Sequence, residues 1–182
     1  MPTEAGTRAR LNRRLALVGV ALAAGTLDQF TKWLAFEAYD RWLDGNHVDA
    51  LPLVKGFLRI APTFNRGAAF SLLALVKESN LILLAVSVAI MGVLFWLADR
   101  HYAHAPLWPF GLLIGGALAN VADRIRFGHV EDFLTFEGWF NWWPTFNVAD
   151  VEITVGAVVL IVWSLFLEPR AEGPAAIETE SE

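Results

Sequence analysis

The chain contains no cysteine. Disulfides, thiolate metal sites and a cysteine nucleophile are therefore excluded. Charge is also scarce. Of 182 residues only 18% are Asp, Glu, Lys or Arg, where soluble domains run nearer a quarter. Much of the negative charge sits at one end. Glu168, Glu172, Glu178, Glu180 and Glu182 fall in EPRAEGPAAIETESE, so the net charge of −5 describes a polar tail more than a folded surface. No basic stripe interleaves with aromatics, which argues against a nucleic-acid partner. The four histidines, His47, His101, His104 and His129, show no HExxH or other tight ligand spacing, so no metal centre is expected.

What the chain has instead is apolar side chain. Hydrophobic residues make up 55% of it, and the mean hydropathy is +0.45. A soluble core of this size has too little interior for that content, so a bilayer is the natural solvent. Four apolar segments follow, at about 15–38, 81–98, 106–121 and 151–167. The second, LILLAVSVAIMGVLFWLA, is uncharged over 18 residues and at 1.5 Å per residue covers about 27 Å, near the thickness of a hydrocarbon core. The third carries Gly111, Gly115, Gly116, Ala117 and Ala119, small residues that permit close helix approach.

Residues 1–14 hold Arg8, Arg10, Arg13 and Arg14 ahead of the first apolar segment. A cleaved signal peptide would read similarly, but this segment continues through Asp28, Gln29 and Lys32 into more apolar residues and is read as a retained first helix. The basic cluster places residues 1–14 in the cytoplasm. Four spans then put residues 168–182 there as a disordered acidic tail, with segments 40–80 and 122–150 outside. In the first outer segment FLRIAPTF alternates in the manner of a short strand or two, and a turn is expected at Gly67. Trp139, Trp142 and Trp143 in the second suit an interfacial belt. The expected fold is an all-α membrane protein, four transmembrane helices making one domain over 15–167, with a small extracytoplasmic β-sheet between helices 1 and 2.

Ionisable residues near an apolar zone are costly, so each needs a reason. Asp28, Lys32, Asp123, Arg124, Asp132 and Asp150 all fall at the outer ends of spans one, three and four. Asp28 and Lys32 are four apart and can neutralise each other on one helix, or can support a nearby site. Arg124 cannot lose its charge, so a carboxylate or carbonyl partner is expected. Asp132 and Asp150, brought together, would share a proton and supply one acid and one base to activate water against a peptide carbonyl. Aspartates at helix ends are more often N-caps than catalysts, and Asp150 could simply cap the fourth helix. Asn65, Asn120 and Asn147 suit capping or turns, or the binding of a substrate backbone.

Four stretches carry a resemblance. DQFTKW at 28–33, TFNRGAAFSLL at 63–73, GALANVADRIRFGHVEDFL at 116–134 and FNVAD at 146–150 are similar, in order, to the signature blocks of the lipoprotein signal peptidase (signal peptidase II) family. Together they cover most of 15–167. The resemblance implies an aspartic endopeptidase of the bacterial inner membrane, without metal or organic cofactor. It would remove the signal peptide of prolipoproteins just before a diacylglyceryl-modified cysteine. It implies a catalytic dyad at Asp132 and Asp150, substrate-positioning or supporting roles at Asn65, Asn120, Arg124 and Asn147, and supporting roles at Asp28, Lys32 and Asp123. Its partners would be diacylglyceryl prolipoproteins and membrane lipids, the chain acting as a monomer with its site near the periplasmic surface. This sequence departs from the pattern at Ala119, Glu131, Val151 and Glu152. Two other classes fit intramembrane charge: a proton- or ion-relay subunit, whose polar residues would be spread through the membrane's depth, and a catalytically silent scaffold. The Gly-x-Gly-Asp type of intramembrane protease lacks its motif here.

Overall fold

A computed structural model describes residues 3–45, 50–66, 79–100 and 105–167. The turn expected at Gly67, the AAFSLL stretch, part of the link after the second helix, and the acidic tail lie outside them. The order of elements is α1 (Glu4–Gly45), β1 (Leu51–Val54), β2 (Leu58–Asn65), α2 (Ser79–Arg100), α3 (Trp108–Phe127), β3 (Val130–Phe136), a short 3-10 turn (Gly138–Phe140) and α4 (Val148–Val162), which ends in a π turn (Trp163–Leu167).

Helix α3 is the centre and packs on α1, α4 and α2. Its glycines explain how closely. A Cβ on Gly115 would collide with the Ala21 carbonyl of α1, and one on Gly116 would lie 2.6 Å from the Ala149 carbonyl of α4. Adjacent glycines thus let one helix touch two neighbours through bare backbone. At the opposite end from the sheet, Leu17, Ala98, Ala105 and Phe110 form a small core. There Arg13 donates to the Ala98 and Ala105 carbonyls at 3.4 Å, and Arg14 pairs with Asp99 at 2.8 Å.

Outside that core the molecule is inverted relative to a soluble protein. Exposed apolar side chains run the length of α2, from Leu81 to Trp96, and of α4, from Val151 to Leu167. Two helices, over Leu81–Asp99 and Val148–Leu167, are long and apolar enough to cross a membrane, and only 6% and 17% of their windows are buried. A core helix of a soluble protein would be mostly buried, so lipid is the solvent these faces call for. Helices α1 and α3 are less apolar because they carry the polar residues of the site described below.

The sheet is antiparallel in the order β1–β2–β3. It differs from expectation in one respect. Only β1 and β2 lie between the first two helices; β3 comes from the link between α3 and α4, pairing Asn65 with Val130 and Thr63 with Asp132. Two adjacent acids, Glu131 and Asp132, hide this strand in the sequence, since exposed-strand alternation does not place an acid on the buried face. Consequently Asp132 stands on a strand and not at the helix end expected for it. The sheet rests on the outer third of α1, where Ala35 packs with Ile60 and Phe133, flanked by Phe36, Tyr39 and Val148. This is why α1 runs past its apolar segment to Gly45: its last turns support the sheet.

Candidate active site

The chain FNVAD builds the start of α4. Asn147 is the N-cap, with extended backbone, and its side-chain oxygen accepts the Asp150 N–H at 2.9 Å. Asp150 Oδ2 returns the contact by accepting the Asn147 N–H at 3.2 Å. This capping box satisfies two orphan donors of the helix. The capping expected of these residues therefore forms, and it leaves the rest of both side chains free for other contacts.

Asn147 is fully buried and joins the two acids. Its Nδ2 donates to Asp132 Oδ1 at 2.7 Å, while Asn65 Nδ2 donates to Asp132 Oδ2 at 3.0 Å. On the other acid, Asn120 Nδ2 donates to Asp150 Oδ1 at 3.2 Å. Asn120 Oδ1 in turn accepts from Asn147 Nδ2 at 3.1 Å. Each carboxyl thus has one donor per oxygen, and one asparagine touches both. Arg124 donates to the Asn120 carbonyl at 3.4 Å and feels the charges of both Asp132 and Asp150. Asp132, on β3, is 2% exposed. Burial holds its carboxyl up at about 6, against the pull of the Asn65 hydrogen bond, and the nearby Asp150 charge adds to the rise. Burial also pushes the neighbouring Glu131 up, helped by the charge of Asp123.

Beneath this pair lies a second, buried layer. Lys32 is 2% exposed and pairs at 2.6 Å with both Asp28 and Asp123, each fully buried. It also donates to Asn120 Oδ1 at 3.3 Å. Asp28 Oδ1 accepts the Ala149 N–H at 2.8 Å, so α1 holds the first turn of α4 directly. Asp123 also accepts Gln29 Nε2 at 2.7 Å and the Glu131 N–H at 3.2 Å, which tie it to α1 and to the start of β3. The Asp28–Lys32 pair is therefore more than an intrahelical neutralisation: it is the hub that fixes α1, α3, α4 and β3 to one another. All nine residues singled out from the sequence converge here. Gln29 and the buried Glu152 were not among them. Gln29 had a signal, a polar residue between Asp28 and Lys32 in an apolar run. Beside Asp150 a crevice of about 190 Å³ opens between Phe136, Trp143, Phe146, Val151 and Val155. Among the described residues no cluster of three or more His, Asp or Glu is placed to hold a metal ion.

The fold, a helix bundle capped by a small sheet, is shared with a protein solved as a "bacterial membrane enzyme". A structure of it at 1.9 Å resolution superposes with a TM-score of 0.68 over 84% of this chain and 94% of the other, at 23% identity. Sequence places the chain more finely. Residues 20–166 match the family model described as signal peptidase (SPase) II, Peptidase_A8. The lipoprotein signal peptidase of Cupriavidus necator is 35% identical over 163 residues, covering 88% of this chain and 89% of the relative. That of Solibacter usitatus is 38% identical over 149 residues, covering 79% and 87%. The chain belongs to the signal peptidase II family, a family of peptidases that process lipoprotein precursors.

Proposed function

We propose that this protein is an intramembrane aspartic endopeptidase that cuts diacylglyceryl-modified prolipoproteins just before the lipidated cysteine, with Asp132 and Asp150 as its catalytic pair. The observation that carries the reading is that Asn147 hydrogen-bonds both acids while burial raises Asp132 to about 6. Two carboxyls joined by one asparagine and feeling each other's charge share a proton near neutral pH. The ionised one takes a proton from water, which attacks the scissile carbonyl; the protonated one donates to the carbonyl oxygen. The resulting gem-diol collapses as a proton passes to the leaving amine. No cofactor takes part. Asn65, Asn120 and Asn147 hold the acids in place, and Arg124 balances their charge. Asp28, Lys32 and Asp123 support the frame.

In this reading the four helices all span the inner membrane, both termini are cytoplasmic, and the pair lies near the periplasmic surface. A diacylglyceryl anchor holds the scissile bond at that depth. The sheet and the aromatic crevice beside Asp150 suit an extended, apolar substrate arriving from the bilayer. The protein acts as a monomer in this reading. The crowding of buried charge at one end of the bundle disfavours a proton or ion relay. The test is incubation of the purified protein with a diacylglyceryl prolipoprotein and its unlipidated form in ¹⁸O water. Cleavage before the lipidated cysteine alone is expected, with one ¹⁸O in the new carboxylate of the signal peptide. Equal cleavage of the unlipidated form, or cutting elsewhere, would refute the substrate assignment.

A further inference from the structure

Glu152 is a buried acid that the chemistry above does not use. It lies on α4 two residues past Asp150, where the family resemblance leads one to expect an apolar residue, and it is 6% exposed. Among the described residues neither carboxyl oxygen has a hydrogen-bond partner. The charges that act on it are Asp28 and Lys32 of α1, and Lys32 is also paired with Asp123 of α3. Both α1 residues are already committed. Asp28 uses one oxygen for the Ala149 N–H and the other for Lys32. Lys32 already pairs with Asp28 and Asp123 at 2.6 Å each and donates to Asn120, so three acceptors compete for its ammonium. An ionised Glu152 therefore finds no free donor among the described residues, and a buried carboxylate without one is costly.

We propose that Glu152 is a positioning residue that acts through its proton. Protonated, it leaves Lys32 to Asp28, Asp123 and Asn120, and so leaves Asn120 donating to Asp150. Ionised, it competes for Lys32. The ammonium then moves off Asn120, the Asn120–Asp150 contact loosens, and the first turn of α4 loses its register against α1. The inference rests on Asp150 belonging to the catalytic pair, but the protonation of Glu152 can be read without any cleavage.

Two measurements test it. The first is carbodiimide labelling. The acid proton of a protonated, apolar-shielded carboxyl passes to one nitrogen of dicyclohexylcarbodiimide as the carboxyl oxygen bonds the central carbon. Acyl migration to nitrogen leaves a stable N-acylurea. In membranes at pH 6, peptide mass mapping should find the adduct on Glu152 in the wild type and equally in Asp150→Asn, with yield falling about tenfold per pH unit once the group ionises. No adduct on Glu152 would overturn the proposal. The second is the alkaline limb of the cleavage rate. Two protons must be retained in the wild type, one on the pair and one on Glu152, so the limb should steepen towards about a hundredfold per pH unit. In Glu152→Gln, which mimics the protonated form, it should fall about tenfold per unit. Superposable limbs, or a Glu152→Gln variant that does not fold, would overturn it. Absence of cleavage in the wild type with the Glu152 adduct intact would instead refute the peptidase reading.

Discussion

Lys32→Met removes the hub of the buried layer while keeping its apolar stem. The structure lets the cost be worked by contrast. Lys32–Asp28 and Arg41–Glu37 are both i,i+4 pairs on α1, at 2.6 and 2.7 Å. The first pair has side chains 2% and 0% exposed, the second 76% and 44%. Breaking a buried pair by deleting one partner costs about 3–5 kcal/mol, because the other charge is stranded. Lys32→Met strands two such charges, Asp28 and Asp123, so the upper end applies. Breaking an exposed pair costs at most about 1 kcal/mol. For a chain of this size 1 kcal/mol shifts Tm by about 2–4 °C. Lys32→Met should therefore lower Tm by about 10–20 °C and Arg41→Met by no more than about 4 °C. Tryptophan fluorescence during heating in lipid nanodiscs reads both, since Trp139, Trp142, Trp143 and Trp163 report on the outer link and on α4. Adding Asp28→Asn to Lys32→Met should recover part of the loss by removing one stranded charge. Equal shifts for the two single variants would refute the claim that burial of this network holds the site together.

Other consequences follow from single contacts. Gly116→Ala sets a methyl 2.6 Å from the Ala149 carbonyl, an overpacking worth about 1–3 kcal/mol; it should displace Asp150 and slow cleavage at least tenfold in a turnover assay. Asn65 donates to Asp132 and so favours its ionised form. Asn65→Ala should move the pH dependence of cleavage upward from about 6, and a downward shift would be inconsistent with that contact. Asp132 held at about 6 against 3.8 costs the folded state about 3 kcal/mol once both states are ionised. The sign is that of a raised acid: the stability is fully present below pH 3.8 and is lost as pH rises through 6. Asp132→Asn should therefore be more stable than wild type at pH 7.5, with the gain vanishing near pH 4, as read by Tm across that range.

The parts of the fold that were legible in the sequence are those with a strong local signal. The uncharged run of α2 and the Asn-x-x-Asp start of α4 could be placed because hydropathy and capping act over a few residues. The full length of α1 could not, since its basic first turns are exposed and carry no apolar stripe, and its turns near Tyr39 pack against the sheet rather than on a stripe of their own. Strand β3 was hidden because its buried position is an acid, Asp132, which only the pairing with β2 and the donors from Asn65 and Asn147 make tolerable. In the site, the convergence of Asp28, Lys32, Asn120 and Asp123 could be anticipated from charges that an apolar setting must neutralise. Their connectivity could not. That Asp28 would cap α4 through Ala149, and that Gln29 would complete Asp123, depends on how α1 crosses α3 at Gly115, a three-dimensional fact with no local signature. Glu152 gave only the weaker signal of an acid in an apolar helix.

The central claim, that Asp132 and Asp150 together activate water, is tested most directly by single-turnover cleavage of a purified diacylglyceryl prolipoprotein with Asp132→Asn and Asp150→Asn. Both variants should be folded by thermal melting and should bind the precursor, and neither should release signal peptide. Processing at the wild-type rate by either one would contradict the account.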